Sequence, residues 1–121
     1  MIPNTRQEIF DYVMRHLLQQ DKRSMNEHGC KYRAGDARCA IGWIIPDHLY
    51  LEEMDDPHCA WSVGDMILRE IPAVVTLGRE LAEDIQRAHD IAGDHIPGLF
   101  KDCLLENMKD VALRHNLAWN F

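Results

Sequence analysis

No stretch of this chain approaches the roughly 20 consecutive apolar residues that a membrane-spanning helix needs. The opening Met1-Ile2-Pro3-Asn4-Thr5 has neither the basic nor the apolar region of a secretory signal, so a cytoplasmic location is expected. Phosphate-binding glycine loops and nucleotide fingerprints are missing too. Basic residues are scarce, 13 against 20 acidic ones, and the net charge of −7 argues against non-specific nucleic-acid binding, which depends on a concentrated basic face. Only four cysteines occur, unevenly spaced, and they are read as thiols rather than as a disulfide framework. Staples are not required, because a chain of 121 residues buries roughly two-thirds of its unfolded surface. With 46% hydrophobic and 27% charged residues the composition is that of one ordered globular domain, spanning 1–121.

Periodicity then supplies helices. Thr5-Arg6-Gln7-Glu8 has the form of a capping box, and Ile9, Phe10, Val13, Met14, Leu17 and Leu18 recur at three- and four-residue steps, which predicts a helix to about Gln20. Asp21 to Gly29 is polar and aperiodic, as expected of a loop. Val63, Met66, Ile67 and Ile71 predict a short helix that Pro72 ends. Thr76 is a candidate cap for the next, whose face is Leu77, Leu81, Ile85, Ala88, His89 and Ala92, with Gly93 as its stop. A last helix opens near Pro97 and runs to about His115 on Leu99, Cys103, Leu104, Met108, Val111 and Ala112. The apolar tail Leu117–Phe121 is expected to dock. The fold class is therefore mainly α (α+β): a compact domain of about four helices with one small β-hairpin.

The hairpin comes from Cys30 to Asp47, the most specific stretch of the chain. A four-residue loop, Ala34-Gly35-Asp36-Ala37, places Arg33 opposite Arg38, Tyr32 opposite Cys39 and Cys30 opposite Ile41. Two opposed arginines repel, which calls for a carboxylate of this chain or an anionic partner over them. Cys39 to Ile45 reads equally as a buried helical turn, since a short apolar run does not separate the two.

Three constellations bear on chemistry. His28, Cys30, Cys39, His48, His58 and Cys59 suggest zinc, but His28-x-Cys30 and the adjacent His58-Cys59 lack the spacing of a tetrahedral site, so no metal is expected. Cys39 or Cys59 with His89 and Asp90 suggests a thiol nucleophile. Adjacent helical residues diverge by about 100°, however, so His89 and Asp90 are not expected to orient each other, and His89 reads as a core residue. Tyr32, Arg33, Asp47, His89 and Asp90 meet if the His89 helix packs on the hairpin, with Arg33 pairing with Asp47 or Asp90 and Tyr32 with His89. Such a network serves either structure or a small-ligand pocket.

Cys30-x-Tyr32-Arg33, Cys39-Ala-Ile-Gly42, Ile45-Pro-Asp47 and Ile85-Gln-x-x-His89-Asp90 together resemble a pattern found in small proteins of phage and prophage type. There, a Cys-Ala-[Val/Ile]-Gly…Ile-Pro-Asp block precedes a helix bearing a His-Asp pair. The resemblance covers about Cys30 to Leu117, discontinuously. It implies an accessory protein of a phage or mobile element, and no activity or cofactor. Charge distribution adds a partner class. No Lys or Arg lies between Arg38 and Arg69, while Glu52, Glu53, Asp55 and Asp56 crowd together. The leading expectation is a non-catalytic protein that uses those four carboxylates to bind and modulate a host protein with a basic surface, of nucleic-acid-handling or defence type, in the host cytoplasm. The alternative is a small enzyme or ligand-binding domain centred on Tyr32, Arg33 and His89. A concave pocket beside that group favours the alternative, and a closed core there favours the first.

Overall fold

A computed structural model describes residues 2–21, 25–26, 29–30, 32–51, 55, 69–92 and 99–121. Four α-helices appear among them: α1 (Arg6–Gln20), α2 (Pro72–Leu77), α3 (Arg79–Asp90) and α4 (Phe100–Arg114). Two antiparallel ladders of two-residue strands complete the regular structure, β1 (Met25–Asn26) with β2 (Gly29–Cys30), and β3 (Arg33–Ala34) with β4 (Ala37–Arg38). None of the described helices is long and apolar enough to cross a membrane.

The capping residues of α1 act as the sequence suggests. Thr5 Oγ1 accepts from the Glu8 amide at 3.2 Å and donates to Glu8 Oε1 at 2.7 Å, which satisfies one free donor of the first turn. Ile9, Phe10, Val13, Met14 and Leu17 form the buried stripe, each at most 1% exposed. The predicted stripe of α3 is buried throughout, and that of α4 is buried from Leu104 onward. At the start of α4 the register differs, because Phe100 is the buried residue and Leu99 is 40% exposed. The tail docks as expected. Gln7 exchanges hydrogen bonds with the Ala118 backbone, Asn120 donates to Asp11, and Trp119 packs against Phe10.

Several local expectations change. Pro72 opens α2 at its first helical position, where a missing N–H costs nothing. The helix expected before it, over 63–71, lies mostly outside the described residues. Thr76 sits inside α2 and caps nothing; Gly78 is both the end of α2 and the N-cap of α3. Its φ of +82° and ψ of 154° fall where side chains are excluded, so the chain turns between two helices at the one residue able to do it. Residues 25–30, read as a loop, contain β1 and β2, and Cys30 pairs with Met25 rather than extending the hairpin toward Ile41.

The β3–β4 hairpin keeps the expected register of Arg33 opposite Arg38, but its loop is the two residues Gly35-Asp36, since Ala34 and Ala37 pair as well. Beyond Cys39 the chain leaves the ladder. Ile41–Ile44 form a buried 3-10 turn, which settles the apolar run as helical. Asp47–Leu49 form another such turn after Pro46. The side-chain amide of Gln20, at the end of α1, donates to the Arg38 carbonyl and accepts from the Arg38 amide, at 2.9 and 2.8 Å, and so pins the hairpin to α1.

Candidate ligand-binding site

The polar residues singled out in the sequence divide into two clusters. On the outer face of the hairpin, Asp47 Oδ1 lies 2.8 Å from Arg33 Nη2 and 3.4 Å from Arg38 Nη2. A carboxylate of the same chain thus relieves the opposed arginines. The Arg33 guanidinium also donates to the Ile45 carbonyl at 3.1 Å and lies over the Tyr50 ring at 4.4 Å. Of the two partners foreseen for Arg33, the structure selects Asp47.

Asp55 is the residue whose role differs most. Its carboxylate accepts from the Tyr32 amide at 2.7 Å, the Arg33 amide at 3.2 Å and the Tyr50 hydroxyl at 2.6 Å. Two successive backbone donors gripped by one carboxylate fix the strand entering the hairpin. Asp55 therefore belongs to the fold rather than to an exposed acidic array. Glu52, Glu53 and Asp56 lie outside the described residues.

The second cluster sits at the C-terminal end of α3. His89 is fully buried, packs edge-on against Phe100, and places Nδ1 3.1 Å from Asp90 Oδ1. The expectation that these neighbours do not orient each other is corrected here. Gln86 Nε2 donates to the same Asp90 oxygen at 2.8 Å, drawing the carboxylate toward the helix face that His89 shares with Gln86. A carboxylate acceptor sets the proton on Nδ1, and the buried Nε2 then has no partner among the described residues. Gln86 Oε1 accepts from the Ile41 amide at 3.0 Å, so this cluster ties α3 to the 3-10 turn.

Between the clusters lies Cys39, 2% exposed, whose Sγ accepts from the Gly42 amide at 3.2 Å. Burial pushes its thiol up to about 12, against the smaller effect of that hydrogen bond. A thiol so held is protonated at neutral pH and is no nucleophile. Cys59, the other nucleophile candidate, lies outside the described residues, as do His28 and His58; His48 is exposed. Among the described residues no three side chains gather that hold a metal ion.

Beside the second cluster a pocket of about 670 Å³ opens. Tyr32 and Ile41, Val74 and Val75 of α2, and Ala82 and Gln86 of α3 line it. Arg69, Arg79 and Arg87 also line it, against a single carboxylate, Glu83. Tyr32 is thus the one residue of the five-membered network foreseen in the sequence that lines this pocket; Arg33, Asp47, His89 and Asp90 do not. Arg79, Glu83 and Arg87 recur at four-residue steps along α3, a charged stripe that the sequence displays beside the apolar one.

A second groove, of about 610 Å³, runs between α3 and α4. Arg87 lines it as well, and several of its charges engage one another: Arg114 reaches Asp110 at 3.2 Å and Asp84 at 3.6 Å, and His115 Nε2 lies 2.7 Å from Asp84 Oδ2. The hydrogen bond from His115 is the main cause holding the Asp84 carboxyl below its usual value, with Arg114 adding to it. No protein-family model, no curated protein and no solved structure matches this chain.

Proposed function

We propose that this protein is a non-catalytic binding protein whose working site is the pocket enclosed by Tyr32, Ile41, Val74, Val75, Ala82 and Gln86. The observation that carries this reading is the pocket itself, about 670 Å³ in volume and beside Tyr32, of the size and mixed lining that small-molecule sites have. Among the described residues, the groups that could do chemistry are engaged elsewhere, which favours binding over catalysis. Cys39 is a buried protonated thiol, and the carboxylates of Asp47 and Asp55 are engaged in holding the hairpin. Asp55 also leaves the acidic-surface reading without one of its four residues. The resemblance to phage-type accessory proteins gives the setting, in which a small protein acts on its host by capturing a ligand or a group on a host protein.

The test is a two-dimensional amide NMR screen of the intact chain against a mixture of small fragments, repeated with Val75→Trp. Val75 is 62% exposed and lines the pocket, so the larger side chain occludes the site without entering the core. Shifts concentrated at Tyr32, Ile41, Val74 and Gln86, and lost in Val75→Trp, are the expected result. Shifts confined to the groove between α3 and α4 would overturn the assignment.

A further inference from the structure

We propose that the pocket selects anions, specifically a carboxylate, sulfonate or phosphate head carried on an apolar or aromatic body; this rests on the pocket being the ligand site. In a chain of net charge −7, three arginines converge on one concavity and face one carboxylate. Glu83 Oε1 engages Arg79 Nε at 2.9 Å. The side chains of Arg69 and Arg87 have no hydrogen bond or ion pair with any other described residue, whereas Arg33, Arg38 and Arg114 are each paired with a carboxylate. Two pocket-lining guanidiniums whose forked donors are unspent among the described residues are suited to a planar or tetrahedral oxyanion.

The remaining walls define the rest of the ligand. Ile41, Val74, Val75 and Ala82 offer apolar contact, and Tyr32 adds an aromatic residue to the lining. Gly78 also lines the pocket, and α3 starts there without a side-chain cap, so its first amides add partial positive charge to the lining. The pocket and its arginines carry the assignment, and the helix end strengthens it.

Two fluorescent probes with one aromatic body test the selection: 8-anilinonaphthalene-1-sulfonate and the uncharged N-phenyl-1-naphthylamine. Each is titrated into wild type, into the triple variant Arg69→Gln/Arg79→Gln/Arg87→Gln, and into an equally charged control, Arg6→Gln/Lys101→Gln/Lys109→Gln, which changes exposed residues away from the pocket. The affinity ratio of sulfonate to neutral probe is expected to fall about tenfold in the pocket variant, on the scale of three partly exposed charge contacts, and to change little in the control. An equal fall in both variants, or none in either, overturns the anion selection. Val75→Trp separates that failure from failure of the site. If it weakens both probes while the ratio ignores the arginines, the pocket binds ligands without choosing anions. If it weakens neither, the site itself is wrong. Displacement of the sulfonate by dodecanoate, or by adenosine monophosphate, then assigns the anion to a fatty carboxylate or to a nucleotide phosphate. Displacement by neither, in wild type, counts against the class.

Discussion

Replacing Gly42 with alanine is the sharpest test of how the hairpin meets the core. Gly42 lies in the Ile41–Ile44 turn, a conformation any residue adopts, so local preference alone favours alanine by about 0.5–1 kcal/mol. Packing opposes this. A Cβ at this position would collide with the Tyr32 carbonyl oxygen, sit 3.1 Å from the Tyr32 carbonyl carbon and 3.3 Å from Cys39 Sγ. The obstacle is backbone, and that backbone is held in place. The Tyr32 carbonyl accepts from the Cys39 amide at 3.2 Å, while the Tyr32 amide is gripped by Asp55 at 2.7 Å. Yielding therefore means moving the hairpin off the turn. Overpacking costs about 1–3 kcal/mol and a lost hydrogen bond about 1 kcal/mol, so after the conformational gain the predicted net loss is about 1–3 kcal/mol. For a chain of this size that lowers the melting temperature by roughly 4–12 °C, read by far-UV circular dichroism. An alanine variant melting at or above wild type would refute the close approach of hairpin and turn.

Further outcomes follow from single contacts. Asp55→Asn is predicted to lose about 2–3 kcal/mol in a denaturant titration, because an amide retains one acceptor and turns a donor toward groups that donate; an unchanged midpoint would return Asp55 to plain solvated surface. His89→Ala is predicted to lose about 1–3 kcal/mol, and His89→Leu less, since Leu keeps the volume and removes a buried Nε2 that has no partner among the described residues; equal losses would show that the Asp90 contact dominates. Asp84 titrates lower in the folded chain than the usual 3.8, so its contribution is present above about pH 4 and lost as pH falls through the lower folded value; Asp84→Asn should flatten that acid limb of the stability curve. His16, stacked on Trp43 with ring centres 4.4 Å apart, is held below its usual 6.5 mainly by burial, then by Arg15 and Arg38. The unfolded chain takes that proton first, so stability should decline as pH drops below about 6.5, and His16→Phe should remove that part of the decline.

Helices were legible in the sequence because burial imposes a period on them: each predicted apolar residue of α1 and α3 is at least partly buried, and α4 misses only at its first turn. The hairpin register was legible for a related reason, since a short loop around Gly35 leaves few ways to pair what flanks it. Contacts between distant positions carried no such period. Nothing around Asp55 marks it as the acceptor for amides 22 and 23 residues earlier, and in a run of carboxylates it reads as charge alone. Gly78 was hidden by a plausible neighbour, Thr76, whose hydroxyl suits a cap but whose backbone does not suit the left-handed turn between α2 and α3. The pocket draws on residues from 32 to 87, so only its stripe of Arg79, Glu83 and Arg87 was available to sequence reading.

Net charge and local field part company in this molecule for a physical reason. At physiological ionic strength exposed charges act over about 8 Å, so a ligand at the pocket responds to the groups that line it and little to the −7 of the whole chain. The carboxylates of Asp47, Asp84 and Asp110 are committed to Arg33, Arg38, Arg114 and His115 elsewhere on the surface. Around Tyr32 the side chains of Arg69 and Arg87 keep free of hydrogen bonds and ion pairs with the described residues, although the charge of Arg87 is also felt by Asp84. An acidic protein can in this way offer an anion a favourable site. The surrounding negative charge then slows the approach of the anion more than it weakens its final hold, since approach samples the long-range field and binding samples the arginines.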